Sequence, residues 1–116
     1  MSEKYSFMLE EKLLDPRFFD SVIKPKIVPV LRKYNVIRAV VFGSFARGTA
    51  VPRSDIDLLV TISSDRRDDV VFDLWDDLEK NLQMSVSLLT EENLINATPS
   101  FKRNIYQEGR LFYGEE

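Results

Sequence analysis

One stretch in the middle of the chain decides the fold, and it reads Val36-Ile37-Arg38-Ala39-Val40-Val41-Phe42-Gly43-Ser44-Phe45-Ala46-Arg47-Gly48 and, after residues 49–54, Asp55-Ile56-Asp57-Leu58-Leu59-Val60-Thr61-Ile62. The first part is rich in β-branched residues and predicts a buried strand over Val36–Phe42 that stops at Gly43. Ser44 suits the start of a short helix. The second part predicts another strand over Asp55–Ile62.

The turn between the two predicted strands has the composition of a phosphate site. Gly43 has no side chain, so a ligand can approach the backbone closely there. A helix that begins at Ser44 directs unpaired N–H groups outward, which suits an anion. Arg47 can add positive charge, and Gly48 relieves the turn that follows. An ordinary strand-to-helix junction with an N-cap serine is the alternative interpretation.

Two acidic residues open the second predicted strand. Asp55 and Asp57 alternate along it, so both project from one face, with Cα atoms about 7 Å apart, while Ile56 projects from the other face. Two like charges held together cost free energy unless a cation lies between them. The pair therefore predicts a site for one or two magnesium ions beside a nucleoside triphosphate. Turn acids that follow Arg53-Ser54 are the alternative.

The rest of the chain predicts a mixed α/β (α+β) fold. The predicted elements are an imperfect helix over 20–34, a long helix over 67–82, a strand over Met84–Leu89, a capped turn of helix over Thr90–Ile95, a last helix over Ser100–Glu108 closed by Gly109, and a short edge strand over Leu111–Tyr113. We therefore expect a small mixed β-sheet flanked by helices. A chain of 116 residues fits one domain, with residues 1–15 as an N-terminal arm.

Composition excludes several classes of chemistry. The chain has no Cys and no His, so zinc fingers, thiolate nucleophiles and imidazole acid–base pairs are excluded. Oxygen ligands must hold any metal, which favours Mg²⁺ or Mn²⁺. The formal net charge of −3 argues against nucleic acid as the main partner.

The chain shows no sign of a membrane segment. No basic segment leads into an apolar run at the N-terminus, and the longest apolar run is Ala39–Phe42, so we expect a cytoplasmic protein without a membrane partner. Phe18, Phe19 and the apolar residues of the arm either cover the sheet or form an oligomer surface, which leaves a homo-oligomer open.

The order of these motifs resembles that of a known family. Gly43-Ser44, then ten residues, then Asp55-Ile56-Asp57 is similar to the minimal nucleotidyltransferase family of the DNA polymerase β superfamily. The resemblance runs from the helix near residue 20 to the chain end, where Glu108–Tyr113 is similar to the family's usual ending. It implies a nucleotidyltransferase fold.

The resemblance also implies an activity and a partner. Members transfer a nucleoside monophosphate from a nucleoside triphosphate, here AMP from ATP, to a hydroxyl, and pyrophosphate leaves. By resemblance, Gly43, Ser44 and Arg47 would bind the phosphates, while Asp55 and Asp57 would be catalytic and would hold the Mg²⁺ or Mn²⁺. Members often act as antitoxins that add AMP to a tyrosine of a helical, RNA-cleaving HEPN-type toxin, so a HEPN-type partner is expected here.

One residue departs from the family's pattern. A third carboxylate is expected on the strand after the long helix, where this chain has Val86-Ser87-Leu88-Leu89-Thr90, so Ser87 replaces it. A serine hydroxyl is too weak an acid to replace it as metal ligand or general base. Three outcomes stay open: slow catalysis with two carboxylates, rescue by another acid, or nucleotide binding without transfer by an impaired member that acts as a binding antitoxin. Glu91 and Glu92 could reach inward, although their position favours helix-capping acids.

Overall fold

The computed structural model describes residues 12–63 and 68–114, with no description of the side chains of residues 68 and 69. Most of the predicted N-terminal arm, residues 1–11, lies outside this part of the chain. The helices are a π-helical turn (Phe19–Ile23), α1 (Lys24–Lys33), α2 (Ser44–Arg47), α3 (Asp68–Leu82), α4 (Glu91–Ile95) and α5 (Pro99–Glu108). The strands are β1 (Val36–Phe42), β2 (Ile56–Ile62), β3 (Val86–Thr90) and β4 (Arg110–Tyr113).

The strands form one four-stranded sheet in the order β3-β2-β1-β4. β1 pairs antiparallel with both β2 and β4, whereas β2 and β3 run parallel. The long helix α3 lies between β2 and β3 in the chain, as a parallel crossover requires. The predicted mixed sheet flanked by helices is confirmed.

One face of the sheet carries the main hydrophobic core. Ile56, Leu58 and Val60 alternate along β2 and are completely buried, as the period of two predicts. They pack against residues of α1 and α3, including Ile27 and Leu74. The odd-numbered residues of β2 therefore lie on the opposite face of the sheet.

The opposite face carries a smaller cluster. Phe42, Leu59 and Ile105 are buried together there, so α5 covers part of this face. The backbone N–H of Phe101 donates to the hydroxyl of Thr98 at the start of α5, and Gly109 ends the helix. Because α5 covers only part of the sheet, open space remains beside it at the ends of β1 and β2.

Several element boundaries differ from the predicted ones by one or more residues. The helix predicted over 20–34 begins as a π-helical turn, in which the N–H of Lys24 donates to the carbonyl of Phe19. Pro25 lacks the N–H group that a regular α-helical bond would use at that position, which accounts for an irregular start, whereas Pro29 lies inside α1. β2 begins at Ile56, so Asp55 precedes the strand. β3 begins at Val86 because Gln83 turns with φ +55° after α3.

Candidate active site

A cavity of about 500 Å³ opens on the sheet face that α5 partly covers. It contains every predicted site residue together with four residues of α5, and it is lined by Phe42, Gly43, Ser44, Arg47, Ser54, Asp55, Asp57, Ser87, Leu89, Phe101, Asn104, Ile105 and Glu108. The polar wall comes from the ends of β1, β2 and β3, and another part of the lining comes from α5. The fold thus brings together residues that lie more than 60 positions apart in the chain.

Gly43 is required by its backbone and by its neighbour. It has φ +73° and ψ −151°, a conformation that is essentially restricted to glycine. A Cβ atom at this position would overlap the carboxylate of Asp57, so a side chain here would displace that acid. The N–H groups of Ala46 and Arg47 both donate to the carbonyl of Gly43, which starts the short helix α2. The missing side chain therefore lets the Asp57 carboxylate lie directly against the Gly43–Ser44 turn.

Strand register places Asp57 at the centre of the polar wall. It pairs with Phe42 of β1 on one side and with Ser87 of β3 on the other. The pKa of Asp57 is raised, first because its carboxyl is partly buried and second because the negative charge of Asp55 is near. The positive charge of Arg47 offsets part of this rise. The two predicted acids therefore repel each other within one cavity.

Arg47 is held by an acid that the sequence did not single out for the site. Its Nη1 atom lies 3.0 Å from Oε1 of Glu108, the last residue of α5. Phe101, Asn104, Ile105 and Glu108 all line the cavity and are spaced i, i+3, i+4 and i+7. This helical spacing was the only sign in the sequence that Glu108 shares a face with the other three residues. It does not show what that face contacts, because the packing of α5 on the sheet decides this.

Ser87 occupies the position at which the resemblance implies a third acid. It lines the cavity beside Asp57, on the face that period-two alternation predicts. Glu91 does not line this cavity, because it is in the first turn of α4, where it accepts a hydrogen bond from Thr61 and faces Arg38 at 3.7 Å. Within residues 12–63 and 68–114, no group of three or more potential metal ligands (His, Cys, Asp or Glu) is close enough to hold one ion.

The two remaining carboxylates nonetheless have the donor chemistry for a hard divalent cation. Asp55 and Asp57 share one cavity, and the pKa of Asp57 is raised by burial first and by the negative charge of Asp55 second. Mg²⁺ is commonly bound through one or two carboxylates, with water and substrate phosphates supplying the other ligands. The residues present therefore fit such an ion without a third acid.

Comparison with known proteins identifies the family. Residues 25–116 match the family described as "Polymerase beta, Nucleotidyltransferase". The chain is 33% identical over 99 residues to MJ0604 of Methanocaldococcus jannaschii, described as a candidate protein adenylyltransferase, and the match covers 81% of this chain and 97% of that protein. A second candidate protein adenylyltransferase of the same organism, MJ0435, is 39% identical over 72 residues, which cover 62% and 77% of the two chains.

Solved structures show the same fold. A structure described as a candidate minimal nucleotidyltransferase superposes with a TM-score of 0.65 at 25% identity and covers 84% of this chain and 95% of the other. A toxin–antitoxin crystal structure with AMP-PNP gives a TM-score of 0.64 at 24% identity, with 79% and 73% covered. A structure of a tri-AMPylated HEPN toxin of Shewanella oneidensis in complex with MNT antitoxin gives 0.57 at 22%, with 78% and 69% covered. The chain belongs to the polymerase β family of nucleotidyltransferases.

Proposed function

We propose that this nucleotidyltransferase transfers AMP from ATP to a tyrosine hydroxyl of a HEPN-type protein partner, with Asp55 and Asp57 as catalytic residues. The observation that carries the proposal is the shared cavity, in which the Gly43–Ser44 turn, Arg47 and both aspartates meet. The relatives described as candidate protein adenylyltransferases support a protein acceptor and AMP as the transferred group.

The turn and Arg47 would bind the triphosphate. Gly43 and Ser44 both line the cavity, and Ser44 adds a hydroxyl to its wall. The guanidinium of Arg47 can hold two phosphate oxygens at once, and its ion pair with Glu108 is partly exposed and therefore weak enough to exchange. These groups would fix the phosphate chain beside the aspartates.

Asp55 and Asp57 would hold Mg²⁺ or Mn²⁺. Bound there, the ion would supply neutralisation of phosphate charge and alignment of the reacting groups. The acceptor oxygen then forms a bond to the α-phosphorus, the bond from the α-phosphorus to the bridging oxygen of the β-phosphate breaks, and pyrophosphate leaves. The acceptor hydroxyl loses its proton in the same step. The contribution of the chain's own residues is to place the acceptor and the α-phosphate in line.

The proposed partner is inferred from solved structures that share this fold. The S. oneidensis structure pairs an MNT antitoxin with an AMPylated HEPN toxin, and one chain of that complex superposes on this chain. An antitoxin role would follow if the added AMP blocks the partner's active surface. The cavity is open on one side, as an acceptor that belongs to a protein surface requires.

Ser87 supports a second candidate function. Because a serine stands beside Asp57 where the resemblance implies an acid, the chain could bind its partner without modifying it. The two functions differ in what they demand of the aspartates: AMP transfer requires both acids, whereas inhibition by complex formation requires neither.

Mass spectrometry of a co-expressed partner tests the proposal. The proposal predicts that a HEPN-type protein encoded beside this chain gains adenylyl groups on tyrosine with the wild type and none with Asp55→Asn or Asp57→Asn. Asp73→Asn serves as the control, because Asp73 is an exposed acid on α3 outside the cavity. An unmodified partner that is nevertheless inhibited by wild type and both variants would establish the binding function instead.

A further inference from the structure

We propose that Glu108 accepts the proton of the acceptor hydroxyl. It would replace the third acid that the resemblance implies at the position of Ser87. The inference rests on the proposed AMP transfer and names a further catalytic residue for it. Loss of the third acid leaves the reaction without an evident proton acceptor. The structure places another carboxylate in the same cavity, on a different wall.

The position of Glu108 suits a base that works on the acceptor. It belongs to the end of α5, whereas Asp57 lies on β2 and Asp55 just before it, and all three line the same cavity. A carboxylate that holds a cation is a poor proton acceptor, so a base is better placed away from the metal ligands. The side chain of Glu108 is about one-third exposed, so an acceptor entering from solvent can reach it.

The ion pair with Arg47 gives this base a switch. With Nη1 of Arg47 at 3.0 Å, the Glu108 carboxylate is engaged and its charge is partly neutralised. A bound triphosphate attracts the same guanidinium, because phosphate oxygens accept its bidentate hydrogen bonds. Arg47 then shifts its bonds from Glu108 to the phosphate. Nucleotide binding therefore frees the base, and the acceptor is activated only when ATP is present.

The step balances without a further reactant. The proton of the acceptor hydroxyl passes to a carboxylate oxygen of Glu108, and the acceptor oxygen forms its bond to the α-phosphorus. The bond between the α-phosphorus and the bridging oxygen breaks, and that oxygen leaves with its electron pair as pyrophosphate. Glu108 afterwards releases its proton to solvent through the open side of the cavity.

Glu108→Gln tests the inference, because the amide keeps the shape of the side chain but is not a base. We expect the maximal rate of AMP transfer to fall roughly 10² to 10⁴-fold, the usual cost of losing a general base. ATP should bind about 2- to 5-fold more tightly, since Arg47 no longer has a competing carboxylate. Glu92→Gln is the matched control, because Glu92 is an exposed acid of α4 outside the cavity, and it should change neither quantity.

A slower transfer together with tighter ATP binding distinguishes a catalytic role from damage to the fold, because damage to the fold would weaken both transfer and ATP binding. Ser87→Asp should accelerate Glu108→Gln by a larger factor than it accelerates the wild type, because it restores an acid that Glu108 otherwise replaces. A wild-type transfer rate in Glu108→Gln, or equal acceleration in both backgrounds, would overturn the role of Glu108 alone. Absence of AMP transfer by the wild type would overturn the proposed function together with this inference.

Discussion

At the scale of single residues, the site depends on the close approach of Gly43 and Asp57. The sequence predicted that Gly43 leaves room at the turn, but it did not predict that an acid of the next strand fills that room. The approach follows from the pairing of Asp57 with Phe42, the residue before Gly43. The alternation of residues in the sequence predicts the face on which Asp57 lies. Only the pairing register of the strands shows that Asp57 lies next to Gly43.

Gly43→Ala should therefore cost more stability than a positive φ alone explains. Gly48 provides the matched control, because it has φ +80° but a Cβ there would meet, among the described residues, only Pro16, at 4.0 Å. We expect Gly48→Ala to lower the free energy of unfolding by about 1–2 kcal/mol. Gly43→Ala should lower it by about 3 kcal/mol or more, because overlap with Asp57 adds to the backbone strain. Equal losses in urea denaturation would show that the close approach to Asp57 is unimportant.

Asp57→Asn should remove function and raise stability in the metal-free protein. Burial and the charge of Asp55 both disfavour ionised Asp57, which is why its pKa is raised. A neutral amide removes this repulsion, so the melting temperature in EDTA should rise, and Mn²⁺ should stabilise the wild type but not the variant. Asp73→Asn should show neither effect. A lower melting temperature for Asp57→Asn in EDTA would mean that the ionised acid stabilises the fold.

At the scale of elements, helix α3 closes the outer edge of the sheet. Trp75 belongs to the apolar stripe predicted for this helix, and core packing was expected for it, but 40% of it is exposed. Its indole Nε1–H donates to the carbonyl of Val86 at 2.7 Å, and the carboxylate of Glu79 accepts from the N–H of the same residue. Because β3 is at the edge of the sheet, these bonds satisfy backbone groups that no other strand in the described part of the chain pairs. Helical periodicity cannot distinguish this role from burial.

Trp75→Phe should weaken this edge without emptying the core. Phenylalanine keeps an aromatic ring at this position but has no N–H donor, so we expect the free energy of unfolding to fall by about 1 kcal/mol. Phe72→Leu is the control, because Phe72 is 70% exposed on the same helix and its replacement should change stability by less than about 0.5 kcal/mol. Both values can be measured by thermal or chemical denaturation. A Trp75→Phe variant as stable as the wild type would show that the hydrogen bond contributes nothing.

Helices α1 and α3 are joined by a small polar cluster that should make stability depend on pH. The hydroxyl of Tyr34 donates to the carboxylate of Asp77, and Nζ of Lys33 lies 2.9 Å from it. These two contacts, Tyr34 first, lower the pKa of Asp77 below its ordinary value. A carboxyl whose pKa is lower in the folded state stabilises the fold above its unfolded pKa and loses that effect as pH falls through the folded value.

Asp77→Asn should accordingly melt at a lower temperature than the wild type at pH 6. The difference should shrink as pH falls below about 4, where the unfolded carboxyl becomes protonated, and disappear below the folded pKa. Asp73→Asn on the same helix should show no such convergence. A difference that stays constant from pH 6 to pH 2.5 would show that the charge of Asp77 is not the source of its effect.

The sequence alone could predict the mixed sheet, the long helix and the meeting of Gly43, Ser44, Arg47, Asp55 and Asp57 on one side. These depend on local periodicity and on motif order. It could not predict the π-helical turn before Pro25, because the choice between a kinked and a widened helix depends on how Phe19 and Ile23 pack. It could not place Glu108 beside Arg47 either, since that contact spans 61 positions and depends on how α5 docks.

At the scale of the whole molecule, the two faces of the sheet have different roles. One face holds the main core against α1 and α3, and the other holds the cavity beside α5. Site residues can therefore be changed without emptying the main core, which makes the variants above informative. None of the helices within residues 12–63 and 68–114 is long and apolar enough to cross a membrane.

We propose that the two aspartates of this cavity direct transfer of the α-phosphorus of ATP to a protein hydroxyl. Parallel reactions with ATP labelled at the α- or the γ-phosphate, in the presence of the partner and Mg²⁺, test it most directly. We expect stable label on the partner from α-labelled ATP only, and none from either nucleotide with Asp57→Asn. Label from γ-labelled ATP, or α-label that persists in Asp57→Asn, would contradict it.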